Sequence, residues 1–398
     1  MKVLIIPSWY PNKQNHLVGS FFKEQAELLS NNGYEVKILM GNNATIYENI
    51  HLKNQLANFF HKHTISLDTE YLEQNPPALS FSLFLNKSWN EREIYEKMRH
   101  GYSKAFSKLI LSGWKPDIIH AQCTVDGGIM AHFLSTEFKI PYVIIEHQIF
   151  LLSMYSEYKQ KLLKNALQNA TKVGAVSYHQ KRCILMHAIK CNTTVTWNFC
   201  NEELFRFIPS TKKEKFRILT ISYSSYIKDI ETFFKSIADF RHIYKDNDFE
   251  VVIIGNNSFK DLQKADTAAF ESLAKKYNIH SKCIFIPFLQ RKEIVEILNT
   301  ADVFISTSIA ETFGLAVREA LLCGVPVITT ASGGVEDTIN EKTGFKVNIE
   351  DHGAIAEALL KIKKKEVTFD SEYLRNHVIS QCGKFAFLEQ MKNFYSIK

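Results

Sequence analysis

Short apolar runs rich in β-branched residues alternate with helical patterns along this chain, and the alternation runs through twice. In the first half, residues 3–6, 36–40, 118–119, 142–145, 173–176 and 194–196 read as strands. Residues 21–30 carry apolar side chains at helical spacing, and Asn31-Asn32-Gly33 ends that helix. Near residue 216 the pattern restarts. Strands are expected at 216–221, 251–254, 283–286, 303–306 and 325–329, with helices at 230–240, 261–277, 294–299 and 315–323. Strands separated by helices pair in parallel, with helices covering both faces of the sheet. The expected fold class is therefore α/β, with two such domains facing each other across a cleft. Ligands of open α/β sheets bind outside the carboxyl ends of the strands, so function is expected in the strand-to-helix loops.

The polar stretch 209–213 reads as a linker, which divides the chain into an N-terminal domain 1–205 and a C-terminal domain 206–380. Residues 381–398 form a separate C-terminal segment, with helical apolar spacing at Phe385, Phe387, Leu388, Met391 and Phe394. A long helix is expected over 90–114. The stretch 46–89 is the least regular. Within it, 79–85 reads as a strand or a covered loop, with a lip dipping into a membrane as a third option.

Composition narrows the function. The chain has 398 residues and a net charge of +6. Residues 1–200 hold 21 Lys and Arg against 15 Asp and Glu, and residues 201–398 hold 27 against 27. The excess in the first half is a solvated basic surface, or an attraction to an anionic membrane or acceptor. No nucleic-acid-binding motif is present, so nucleic acid is not an expected partner. Seven cysteines without C-x-x-C spacing fit a reducing compartment better than a disulfide framework or a zinc site. No run is long and apolar enough for a membrane span, and the N-terminal apolar run is too short for a signal peptide. A cytoplasmic protein is expected, peripheral on the inner face of the membrane if the basic half engages lipid.

The richest segment is 306–328. A strand ends, a loop containing Glu311 follows, and a helix begins at Gly314 with Glu319 two turns in. The N–H groups of Gly314, Leu315 and Ala316 are free at such a helix start, which carries about half a positive charge and binds phosphate. Carboxylates accept hydrogen bonds from sugar and ribose hydroxyls. The spacing places a sugar at Glu311, a diphosphate at the helix start and a ribose at Glu319. Taken singly, Glu311 reads as a capping carboxylate and Glu319 as a surface residue. The glycine and proline framing favours the functional reading of the pair.

This segment resembles the E-x7-E signature of retaining GT-B-fold glycosyltransferases, specifically glycosyltransferase family 4. Ala331-Ser332-Gly333-Gly334-Val335-Glu336-Asp337, Ile254-Gly255-Asn256 and Trp197-Asn198 through Glu203-Leu204-Phe205 resemble further stretches of that family. The resemblance covers nearly the whole chain. It implies two Rossmann-like domains, a C-terminal helix packing back on the N-domain, a nucleotide-sugar donor, no metal or other cofactor, and retention of configuration. It assigns donor-sugar hydroxyls to Glu311, the ribose to Glu319 and the donor diphosphate to Lys228. Gly255 falls in a donor-side loop. Val18-Gly19-Ser20-Phe21 resembles the first glycine loop, although Gly19 also reads as a helix cap. His147, after residues 141–146, resembles the histidine that contacts the donor sugar. His120 reads as structural or acceptor-side. The sequence departs from the family at Tyr223, where an Arg is usual, and at Asp229, where a Gly is usual.

The resulting expectation is a retaining hexosyltransferase that moves a sugar from a UDP- or GDP-sugar to a glycan or lipid-linked acceptor. Bacterial surface polysaccharide synthesis is the family-level context. The alternatives are a sugar-nucleotide epimerase on the same scaffold and a non-catalytic nucleotide-sugar-binding protein.

Overall fold

The computed structural model describes residues 1–11, 18–42, 68–71, 75–83, 85, 89–209, 215–245, 248–256, 266–287 and 289–396. Contacts divide the chain into two compact units. The first holds Met1–Val176, Gln180–Thr196 and Leu388–Lys398. The second holds Ser177–His179 and Trp197–Phe387. The expected linker 209–213 lies mostly outside the described residues.

The first unit is built on β1 (Lys2–Pro7), β2 (Glu35–Asn42), β3 (Asp68–Tyr71), β4 (Ala78–Ser82), β5 (Ile118–Gln122), β6 (Tyr142–Glu146), β7 (Lys172–Ala175) and β8 (Thr193–Val195). Their order in the sheet is β3-β4-β2-β1-β5-β6-β7-β8, and every neighbouring pair is parallel except β3 with β4. The connecting helices are α1 (Ser20–Ser30), α2 (Glu91–Leu111), α3 (Ile129–Phe138), α4 (Glu157–Asn169) and α5 (Tyr178–Met186). Asn90 and Glu93 form a capping box that starts α2, and Tyr95, Met98, Tyr102, Phe106 and Leu109 form its buried stripe. Of the open stretch 79–85, residues 79–82 belong to strand β4, and Leu83 and Leu85 lie beyond it. Leu79, Phe81, Leu83 and Leu85 are all buried in the core, so the membrane-lip option falls.

The second unit contains β9 (Phe216–Ile221), β10 (Phe249–Ile254), β11 (Cys283–Ile286), β12 (Val303–Ser306), β13 (Val327–Thr330) and β14 (Gly344–Val347), in the order β11-β10-β9-β12-β13-β14. All pairs are parallel. Its helices are α6 (Ile230–Ile243), α7 (Ala268–Lys276), α8 (Arg291–Leu298), α9 (Leu315–Leu322), α10 (His352–Lys363) and α11 (Ser371–Cys382). The described part of the helix expected at 261–277 is α7, and 261–265 lie outside the described residues. Phe233, Phe234, Phe240, Phe249 and Phe270 fill one side of this sheet. Residues 197–205 belong here because Cys200 N–H donates to the Cys382 carbonyl (2.9 Å) and the Arg375 guanidinium donates to the Phe205 carbonyl (2.5 Å) and the Glu202 carbonyl (2.6 Å).

Each sheet reverses its winding once. In the first unit the chain winds outward from β1 through β2 and returns to β5 on the other side of β1. In the second it winds from β9 through β10 to β11 and returns to β12 on the other side of β9. At such a switch point, adjacent strands send their following helices to opposite faces, and a crevice opens at the carboxyl edge.

The last helix, α12 (Lys384–Tyr395), lies over the expected range. Its Tyr395 hydroxyl is 2.7 Å from His120 Nδ1. His120 is not at a strand end: β5 continues through Ala121 and Gln122, and the imidazole is buried in mid-strand. Its Nε2 has no hydrogen-bond partner among the described residues. This placement supports the structural role for His120 and gives the acceptor-side role no opening to solvent.

Burial pushes the His120 pKa down to about 3. The folded chain therefore holds a neutral imidazole, whereas the unfolded chain protonates it below about 6.5. Stability from this group is complete above that value and is lost as pH falls toward 3. Glu146, whose carboxyl is raised by burial, works in the opposite direction on acidification, but it is present in both proteins of the comparison below. Between pH 6.5 and 4.5 the stability gap between wild type and His120→Asn should narrow by about 1.4 kcal/mol per pH unit. Thermal melts of both proteins across that range read the slope, and a gap independent of pH contradicts it.

Candidate active site

At the β9/β12 switch point two loops leave neighbouring strands and are tied to each other by backbone groups. Ile309 N–H donates to the Ile227 carbonyl at 2.7 Å. The Thr307 hydroxyl donates to the carbonyls of Lys228 (3.2 Å) and Asp229 (2.9 Å). These ties set Lys228 beside Glu311. The Lys228 ammonium donates to Glu311 Oε1, and Ser308 Oγ donates to the same oxygen at 2.8 Å. The two side chains are only 22% and 16% exposed, so their attraction is less screened than at an open surface.

The loop after β13 fixes Glu311 from the other side. Glu311 N–H donates to the Ser332 carbonyl and Gly334 N–H donates to the Glu311 carbonyl, both at 2.7 Å. A Cβ at position 334 would lie 2.0 Å from the Thr312 carbonyl oxygen, so the close approach requires glycine.

The departures from the family pattern have local explanations. The Tyr223 ring lies under the Lys228 ammonium, with Nζ 5.6 Å from its centroid. A cation–π contact therefore stands where a second cation is usual. Asp229 takes the left-handed backbone (φ 40°, ψ 53°) that glycine adopts freely, and its Oδ1 accepts from Thr232 N–H at 3.3 Å to cap α6. Aspartate tolerates that conformation because its short side chain bonds locally. Gly255 follows β10, where a Cβ would sit 1.7 Å from the Ser222 carbonyl oxygen.

Helix α9 begins at Gly314 (φ 74°, ψ 58°), and no side chain caps it. The first-turn N–H groups, including those of Leu315 and Ala316, have no intrahelical acceptor. Glu319 lies further along α9 and is buried. Arg291, the first residue of α8, places Nη2 2.8 Å from Glu319 Oε1 and lies 5.0 Å from the Phe205 ring centroid. Arg318 is fully buried beside Glu319. Its guanidinium donates to the Phe313 carbonyl and, at 3.3 Å, to the Gly334 carbonyl, bracing the loop that carries Glu311 against the loop after β13. Burial lowers its pKa.

In the first unit, Gly19 is the left-handed N-cap of α1 (φ 70°), with Trp9 O only 2.9 Å from where a Cβ would stand. His147 is the first residue past β6. Its ring packs 4.8 Å from Phe22 and 5.6 Å from Phe21, so Gly19 and His147 meet through the start of α1. Glu146 faces elsewhere, accepting from Thr124 N–H (2.9 Å) and Gln148 N–H (2.8 Å). His120 joins none of these groups.

Sequence reasoning missed Ser308, Arg291 and Arg318. Arg318 carried a signal, being the lone cation on a helix that is apolar apart from it and Glu319. Ser308 lies three residues from Glu311 within the same loop. Arg291 carried none, because its partner is remote in sequence.

The family model for Glycosyltransferase Family 4 matches residues 18–203, and that for Glycosyl transferases group 1 matches residues 201–380. The chain belongs to this glycosyltransferase family. A human phosphatidylinositol N-acetylglucosaminyltransferase chain is 25% identical over 230 residues, covering 56% of this chain and 45% of that protein. The sucrose-phosphate synthase of Zea mays is 28% identical over 168 residues, covering 40% of this chain and 16% of that protein. The chain thus spans less than half the length of either relative. Among solved structures, Anabaena Alr3699/HepE in complex with UDP and glucose is 14% identical with a TM-score of 0.71, covering 99% of both chains. That likeness shows the fold, which is GT-B.

In this family member the Arg291–Glu319 pair is partly desolvated, and removing one partner leaves the other charge uncompensated. Arg291→Ala should destabilise the second unit by about 1–3 kcal/mol, and adding Glu319→Gln should recover part of that loss. Chemical denaturation of the two single variants and the double variant closes the cycle. Additive losses would show that the pair is not coupled.

Proposed function

We propose that this protein is a retaining, metal-independent hexosyltransferase that takes a sugar from a UDP- or GDP-sugar and passes it to a glycan or lipid-linked acceptor, in bacterial surface polysaccharide synthesis. The observation that carries this reading is the joining of Lys228, Glu311 and the uncapped start of α9 at one switch point. A nucleotide diphosphate sugar presents two phosphates, sugar hydroxyls and a ribose. Lys228 and the N–H groups of Leu315 and Ala316 suit the phosphates. Glu311 suits the donor-sugar hydroxyls and Glu319 the ribose hydroxyls. Tyr223, Gly314 and Gly255 line the donor side in this reading, and Gly19 and His147 keep the roles that the family resemblance gives them.

Glu311 and Lys228 neutralise each other in their ion pair. Donor binding shares Lys228 between the carboxylate and the diphosphate. As the bond from C1 to the phosphate oxygen breaks, negative charge builds on the leaving diphosphate. Lys228 and the helix start stabilise that charge without a metal or other cofactor. The acceptor hydroxyl attacks C1 from the face the diphosphate leaves, and its proton passes to a leaving-phosphate oxygen. Configuration at C1 is retained. Tyr223 leaves Lys228 as the principal side-chain cation on the diphosphate, so the reaction should depend steeply on Lys228.

The lipid-linked option draws on the basic excess of residues 1–200 and on the phosphatidylinositol in the name of the human relative. It places the enzyme at the inner face of a membrane, held peripherally. Among the described residues no helix is long and apolar enough to cross one. Nucleic acid has no role in this reading.

Lys228→Ala and Glu311→Ala should each lower kcat by about 10²-fold or more, with each variant still folded at the assay temperature. A panel of UDP- and GDP-sugars, assayed for nucleotide release with and without acceptors, reads both values and names the donor. Wild-type turnover in either variant would sink the assignment. Donor consumption without any acceptor would point to an epimerase.

A further inference from the structure

We propose that the loop between β6 and α4, together with the C-terminal end of α5, forms a docking face for a lipid bilayer containing acidic lipids. This deepens the lipid-acceptor reading above and rests on it.

Burial alternates over residues 149–152 of the loop, and Leu152–Met154 form a short 3-10 turn. Phe150 and Leu152 are buried in the core of the first unit, while Ile149, Leu151 and Met154 stand out at 39%, 43% and 69% exposure. At the end of α5 the same arrangement recurs. Ile184 and Ile189 are buried, while Leu185 and Met186 are 47% and 76% exposed. The two segments adjoin: the Phe150 ring lies 5.5 Å from that of His187, and the Phe150 carbonyl is 3.4 Å from His187 Nε2. The buried members pin the backbone of both segments, so the exposed ones cannot withdraw without breaking core contacts.

Charge decides which partner fits this face. Residues 151–200 hold seven Lys or Arg against the single acid Glu157; Lys159 pairs with Asp126 and Lys172 donates to the Asn393 and Ser396 carbonyls, which leaves five other cations in the stretch. Arg182 lies one turn before Leu185 and Met186 on α5, and Lys190 lies four residues beyond Met186; both are exposed. Flexible Ile, Leu and Met side chains beside long cationic ones are what an interfacial surface needs. The apolar groups enter the acyl boundary, and the cations reach the headgroup phosphates. The exposed apolar members include no aromatic anchor of the kind that dominates protein–protein interfaces.

The test is co-sedimentation of the full chain with phosphatidylcholine vesicles, with and without phosphatidylglycerol, at low and high salt. Wild type should pellet only with the acidic vesicles, and less at high salt. The pair Arg182→Ser and Lys190→Ser should lower partitioning about fivefold per charge removed. The pair Met154→Ser and Met186→Ser should lower it about tenfold or more. Leu111→Ser, at an exposed site on α2, should leave it unchanged. Melting temperatures should not move, because every altered side chain is exposed. Equal binding by wild type and both paired variants overturns the face while leaving membrane association in place. A wild type that glycosylates a lipid acceptor but ignores acidic vesicles also overturns the face and leaves the proposed function standing. Vesicle binding lost in the variants, with transfer only to soluble acceptors, supports the face and removes the lipid-acceptor reading. Light scattering that shows a dimer dissolved by Met154→Ser and Met186→Ser, with vesicle binding unchanged, assigns the face to a second copy and overturns the proposal.

Discussion

A parallel sheet admits no hairpins, so each strand must send the chain across a face before the next begins. All the loops that follow strands therefore gather at one edge. In the second unit the winding reverses between β9 and β12. Two loops of the same edge thus lie side by side with no helix between them. Lys228 comes from one and Glu311 from the other, and their ion pair joins the loops. The backbone ties at Ile227, Lys228 and Asp229, and the brace from Ser332 and Gly334, hold that pair in place. Had the winding continued in one direction, the helices after the two strands would lie on one face and no crevice would open between their loops.

The buried charges of this unit are each met by a partner. Glu319 is buried with Arg291, Glu311 is shielded with Lys228 and Ser308, and Arg318 spends its donors on backbone carbonyls. A buried charge without a partner carries a large desolvation cost, and a paired one is oriented by its partner. The first unit follows the same rule differently. His120 is kept neutral by burial, and Glu146 accepts two backbone N–H groups.

Much of the fold was legible because burial leaves a periodic trace. The strands at 216–221, 283–286 and 303–306 and the helix at 384–395 lie where the pattern put them. The stretch 79–85 stayed open because a short apolar run has the same trace in a strand as in a covered loop. His120 was misplaced at a strand end because Ala121 and Gln122 do not look like strand residues. They are strand all the same, since neighbouring β1 and β6 impose the ladder on them. Glu311, Gly314 and Glu319 were legible as a group because they lie within one loop and one helix.

The sequence by itself determined the parallel α/β class, the two rounds of alternation and the single segment that carries a carboxylate, a helix start and a second carboxylate. Each is a local property, written in side-chain period or in spacing along one element. Only the tertiary structure decided which distant groups meet. It joined Lys228 to Glu311, 83 residues apart, Arg291 to Glu319, and His120 to Tyr395, 275 residues apart. Ion pairs and hydrogen bonds act over a few ångströms. Strand order sets those distances, and strand order leaves no mark in the periodicity of any one element.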